Sequence, residues 1–178
     1  MKRRFLSPFV LTQVLMVAVI AAALWLAYWP WRWGQVRDEV RTRFPAVTHI
    51  EGTKLQQWLV GRVAPPVLLD VRSTAEFEVS HLPGARHVMP GAPLADNQLV
   101  GKENAQVVIY DAVGFEASAF ATMLLQHKFT DVQVLDGGIF QWANEGRTLI
   151  GPGGALTTKV QPGPSEYALL LDRARRTH

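Results

Sequence analysis

Hydrophobic and polar positions divide the chain into three parts. Phe9 to Trp29, FVLTQVLMVAVIAAALWLAYW, carries no charge. As one helix it would reach about 30 Å, the hydrocarbon thickness of a bilayer. Beyond it, short apolar runs alternate with stretches of helical spacing. VTHI (47–50) predicts a short strand, and Gly52–Val60 a helix with Leu55, Trp58 and Leu59 on one face. After the break at Pro65-Pro66, VLLDV (67–71) is a continuous apolar run of the kind a buried parallel strand requires. Thr74–Val79 predicts a short helix, Ala85–Val88 a strand and 89–105 mostly loop. VVIY (107–110) is a second buried strand, Phe115–His127 the longest soluble helix and VQVL (132–135) a third strand. Gly137-Gly138 opens a last short helix through Ala143. Strands alternating with helices predict an α/β domain whose parallel sheet is covered on both faces.

The two ends of the chain read differently. Lys2, Arg3 and Arg4 make a basic N-terminus over 1–8, followed by a transmembrane helix at 9–29. Tyr28, Trp29, Trp31, Trp33 and Trp25 crowd the end of that run, as an interfacial aromatic belt does, and Pro30 is expected to stop the helix. Residues 30–46 read as a juxtamembrane connector with one helical turn around Val36–Arg43, ended by Pro45, and 47–150 as the folded domain. GPGGALTTKVQPGP (151–164) has the composition of a mobile linker. Ser165 then caps a final helix with Tyr167, Leu170, Leu171 and Ala174 at i, i+3, i+4 and i+7. Such a helix suits docking on its own domain, on a partner or on a membrane surface.

Charge sharpens the membrane reading. Residues 1–43 hold seven Lys/Arg against two acids, residues 44–163 eight against eleven, and 164–178 three against two. The basic residues flank the apolar run while the domain is mildly acidic. That distribution favours a lipid bilayer over nucleic acid as the partner of the basic ends. The competing reading of the run is a cleaved signal peptide, with Ala21-Ala22-Ala23 as the cleavage site, but the apolar stretch continues past it. The short basic N-terminus favours a single-pass anchor with its N-terminus inside and the domain on the outer side.

The chain has no cysteine, so disulfides, thiolate metal sites and thiol nucleophiles are all excluded. Candidate chemistry concentrates in VVIYDAVGFEAS (107–118), where an apolar strand ends in Asp111 and a helix begins four residues on. A strand end beneath a helix N-terminus is a cradle for anions, yet Asp111 and Glu116 line it. Loop N–H groups can bond the Asp111 carboxylate as they would an anion. Two carboxylates are too few for a metal cage, so no metal or other cofactor is expected. Asp70 and Arg72 read as a buried structural pair, His81 as the organiser of a turn and Trp142 as core.

Three stretches together resemble the rhodanese-like domain family. LLDVRSTAEFEVSHLPGA (68–85) resembles its signature through Asp70, Arg72, Glu76, Phe77, His81, Pro83, Gly84 and Ala85. VVIYDAVGFEAS lies where the family keeps its active-site loop, and LDGGIFQW (135–142), with Gly137, Gly138 and Trp142, resembles its closing motif. The resemblance implies a three-layer α/β domain with a central parallel sheet of about five strands. Active members carry a persulfide on a cysteine at the strand end, with basic residues nearby. Here the cysteine position is Asp111, the next is Ala112, and Val113, Gly114, Phe115 and Glu116 complete a degenerate loop. An intact scaffold around this loop implies a domain inactive as a sulfurtransferase. Its expected role is a protein-binding or scaffolding module for a membrane-associated protein, with Phe115 as an apolar anchor. The alternatives are a divergent enzyme using Asp111, or a small-ligand or cation sensor.

Overall fold

The computed structural model describes residues 8–61, 65–95, 97–163 and 166–177. Of the positions discussed above, Lys2, Arg3, Arg4 and Ser165 lie outside them. Helix α1 (Pro8–Arg43) divides between two compact units, residues 1–35 and 36–178. In the first unit it is apolar all round and long enough to cross a membrane, and Phe9, Leu15, Val17 and Leu24 are bare. Tyr28 packs edge-on against Trp29, with ring centroids 5.2 Å apart.

Pro30 does not stop the helix but lies inside it. A proline removes one backbone bond and crowds the carbonyl four residues back, which bends a helix without ending it when the far side is held. Here Val36 and Val40, at i and i+4, are buried in the second unit. Their packing keeps 36–43 helical where a connector was expected. Arg37 and Arg41 on the same segment reach Asp136 at 3.4 and 3.2 Å.

The second unit is built on a five-stranded parallel sheet, as expected. Its strands are β1 (Thr48–Ile50), β2 (Val67–Asp70), β3 (Arg86–His87), β4 (Gln106–Tyr110) and β5 (Asp131–Leu135), in the order β1-β5-β4-β2-β3. Central β4 pairs with β2 (Leu69 opposite Ile109) and with β5 (Ile109 opposite Val134). It is buried from Val107 to Tyr110, which explains its unbroken apolar sequence. The crossovers are α2 (Gly52–Gly61), α3 (Thr74–Val79) and α4 (Phe115–Gln126), and α5 (Gly138–Asn144) follows the last strand, β5. Helix α4 presents Ala117, Phe120, Ala121 and Leu124 to the sheet at i, i+3, i+4 and i+7. Helix α3 is only six residues long and depends on its start: Ser73 accepts from the Glu76 N–H while the Glu76 carboxylate accepts from the Ser73 N–H.

The segment 151–163 packs rather than acting as a mobile linker. Strand β6 (Leu149–Ile150) pairs antiparallel with β7 (Leu156–Thr157), and the Gly/Pro residues between them form a tight 3-10 turn. Val160 is buried, and its N–H donates to Arg175 O at 2.7 Å. The expected final α-helix is instead two 3-10 turns, Glu166–Leu170 and Arg173–Arg175. A 3-10 helix repeats every three residues, so the i, i+3 part of that spacing serves it as well. This tail docks on its own domain. Leu170 and Leu171 are buried, and Asn144 bonds Leu170 O (2.7 Å) and the Asp172 N–H (2.9 Å).

A buried polar cluster fixes the carboxyl ends of β2 and β4. Arg72 grips Asp70 through Nη2–Oδ2 (2.6 Å) and Nε–Oδ1 (3.0 Å), and also donates to Ser80 O at 2.7 Å. Burial works against the guanidinium charge, but the Asp70 carboxylate outweighs it and raises the Arg72 pKa. The Tyr110 hydroxyl accepts from the Leu82 N–H (3.0 Å), and burial holds its pKa well above the ordinary tyrosine value. Removing one partner of a buried pair strands the other charge. Arg72→Met should therefore cost about 3 kcal/mol in urea unfolding, and Asp70→Leu/Arg72→Met together markedly less.

Candidate functional site

The loop 111–114 joins β4 to α4 at the carboxyl edge of the sheet. Gly114 stands at the N-cap of α4 with φ +119°, a left-handed conformation that glycine adopts without steric cost, and it supplies no side-chain cap. The free N–H groups of the helix must find another acceptor. They find Asp111, which is 3% exposed: Oδ1 accepts from the Gly114 N–H, and Oδ2 from the Glu116 N–H at 2.8 Å. The carboxylate sits where a strand-end cradle would hold an external anion.

The other side of the loop is fixed by α5. The Ile139 and Phe140 N–H groups donate to Asp111 O (2.9 Å) and Ala112 O (3.1 Å). That approach requires glycine at 138, because a Cβ there would lie 2.5 Å from both loop carbonyl oxygens. Val40 covers the loop, its Cγ1 3.6 Å from where a Cβ on Gly114 would stand. Phe115 does not project as an anchor for a partner. It stacks on Tyr167 of the tail, centroids 5.4 Å apart and planes 20° from parallel. Of 111–116, Asp111, Val113 and Gly114 are buried, Ala112 and Phe115 half-buried, and only Glu116 exposed. Half of this loop is therefore buried, and Glu116 is its exposed residue.

A cleft of about 460 Å³ remains in front of the loop, walled by Arg72, Asp111, Phe115, Glu116, Gly163 and Tyr167. Glu76 and Glu166 also line it, so its ionisable rim is mainly acidic. Burial raises the Glu116 pKa and Glu76 raises it further. Burial pushes Asp111 up to about 6 against the pull of its three backbone donors, with Glu116 adding repulsion. Among the described residues no group of three or more His, Asp or Glu side chains is arranged to hold a metal ion.

The remaining motif residues have structural partners. His81 Nδ1 lies 3.0 Å from Phe77 O and its ring stacks on Phe77 at 4.1 Å. Gly84 forms the turn before β3, and Gly137 caps α5. The Trp142 indole donates to Thr148 O (3.0 Å) beneath the Arg147 guanidinium. Sequence reasoning missed the walls supplied by Gly163, Glu166 and Tyr167, and the lid supplied by Val40. The aromatic in a basic tail was their only signal. The capping pair Ser73 and Glu76 was legible as S-x-x-E before an apolar run but went unread.

Fold and site define a parallel α/β domain with an anion-cradling loop at the central strand end, in which a carboxylate replaces the nucleophile. The sequence matches the rhodanese-like domain over residues 54–145, and the chain belongs to that family. It is 31% identical over 75 residues to the thiosulfate sulfurtransferase GlpE of Pseudomonas aeruginosa, covering 42% of this chain and 67% of that one. It is 31% identical over 99 residues to the adenylyltransferase and sulfurtransferase UBA4 of Kluyveromyces lactis, covering 49% of this chain but only 22% of that one. The solved thiosulfate sulfurtransferase from Pseudomonas aeruginosa shares the fold at a TM-score of 0.56 and 23% identity, over 74% of this chain and 24% of that one. With no cysteine anywhere, this chain has no group to carry a persulfide.

The shifted carboxyl has a consequence for stability. Folded Asp111 releases its proton near pH 6, against 3.8 for an ordinary aspartate. Between those values the folded chain binds the extra proton. The stability this supplies is complete below pH 3.8 and is lost as pH rises through 6. Asp111→Asn removes the effect. Wild-type stability relative to that variant should fall by roughly 2 kcal/mol between pH 4.5 and 7.5, measured by urea unfolding at each pH.

Proposed function

We propose that this protein is a membrane-anchored, catalytically inactive rhodanese-like module that binds a membrane-associated protein. The observation that carries the reading is the Asp111 carboxylate seated on the Gly114 and Glu116 N–H groups. It fills the cradle, and both its oxygens are engaged. The same engagement argues against Asp111 as a nucleophile, since attack would require an oxygen to leave its donors. The acidic rim opposes thiosulfate and phosphate substrates. The uncharged run at 9–29, bounded by basic residues and aromatic rings, supports anchoring in the bilayer, and the basic N-terminus supports an inside position for residues 1–8.

The test has two arms. With thiosulfate and cyanide, the purified full chain should give no turnover above the protein-free rate. Crosslinking in native membranes followed by affinity capture should recover a membrane protein, saturably and in fixed ratio to the bait. Turnover that Asp111→Asn abolishes would overturn the reading in favour of a divergent enzyme. Saturable turnover with capture of nothing would remove the binding module altogether.

A further inference from the structure

Beside the acidic cleft runs a second, larger groove of about 800 Å³. It lies between the outer face of α4 and the two loops after β2 and β3. Val71 and Phe120, both buried, form its floor, and Met89, Pro90, Ala119 and Met123 form its walls. Met89 is 59% exposed and Ala119 is bare, so this apolar surface faces solvent without a covering segment among the described residues. Grooves of this volume bury several side chains of a ligand, and methionine walls adapt to more than one shape. The charge at its edge is one-sided. Arg72 borders the groove but is buried and neutralised by Asp70. Glu116 borders it too, makes no ion pair among the described residues, and faces the further negative charge of Glu76.

We infer that the α4 groove is the docking surface of this module, and that it takes a protein segment presenting large apolar side chains beside Lys or Arg. The inference rests on the binding-module reading and names its surface and partner chemistry. The apolar walls would take the side chains and Glu116 would take the cation, with the Glu76 charge adding to the negative potential nearby. An anionic lipid headgroup meets the wrong sign of charge there, so a bilayer is a poor occupant of this face. The degenerate loop contributes through Glu116 alone, the one residue of 111–116 that borders this groove.

The test is selection from a random dodecapeptide display library on the full chain in neutral-lipid nanodiscs, with empty discs subtracted. Recovered peptides should pair Leu, Met, Phe or Trp with adjacent Lys or Arg. Their Kd should rise about tenfold or more in Ala119→Arg, which fills the groove, and in Glu116→Lys, which reverses its edge. Circular-dichroism melts of both variants confirm that they fold, and Met89→Asp offers a third variant on a loop. No enrichment over empty discs would overturn the inference. So would binders indifferent to all three substitutions, or a consensus lacking basic residues. If capture from native membranes persists with the groove variants, the module binds through another face and only the groove assignment falls. If capture fails with the unaltered chain as well, the binding-module reading falls with it.

Discussion

An α-helix that begins on a left-handed glycine leaves backbone N–H groups in need of an acceptor, and the rest of the site depends on how that need is met. In this chain the acceptor is a side chain of the preceding strand end. Asp111 reaches over its own loop to Gly114 and Glu116, so the cradle is satisfied with nothing else bound. The loop can hold that shape because α5 grips its carbonyls from behind, through the gap left by the missing side chain of Gly138. The arrangement carries a cost, since burial resists the negative charge and raises the carboxyl pKa to about 6. Three backbone donors offset part of it.

Around this centre the structure is closed by parts of the chain that lie far away in sequence. The end of α1 lays Val40 over Gly114, and the tail brings Tyr167 against Phe115. Below, Asp70 and Arg72 tie the end of β2 to Ser80, and Tyr110 ties β4 to Leu82. These contacts bury Asp111, Val113 and Gly114 and leave Glu116 as the exposed residue of the loop. The accessible features left beside it are acidic side chains and the apolar groove on α4. The proposed binding role rests on that combination.

Much of this was legible in the sequence, for identifiable reasons. Continuous apolar runs located β2 and β4, because strands covered on both faces admit no polar alternation, and the VQVL pattern located β5. Helical spacing located α2, α3 and α4 to within a residue or two. The pairing of Asp70 with Arg72 and the bonding of Asp111 by loop amides came from the cost of burying unpartnered charge. The failures were equally physical. Gly and Pro mark tight turns and loose linkers alike, so 151–163 read as mobile when it closes a β6–β7 hairpin and then buries Val160 against the tail. The i, i+3 spacing of Tyr167 and Leu170 fits α and 3-10 geometry alike. Pro30 penalises a helix locally, but Val36 and Val40 pack against residues distant in sequence, which no local rule reports. The contacts of Val40 with Gly114 and of Tyr167 with Phe115 are of the same kind.

The claim on which the account turns is that the Asp111 carboxylate is the resident anion of the cradle. Carboxyl carbon NMR of the full chain in micelles, labelled at aspartate and titrated with pH, tests it most directly. The account predicts that Asp111 titrates near pH 6, and that the Gly114 and Glu116 amide protons shift downfield over the same interval as the carboxylate forms. An Asp111 that titrates near the ordinary aspartate value, with those two amides unmoved, would place the carboxylate in solvent, leave the cradle open and contradict the account.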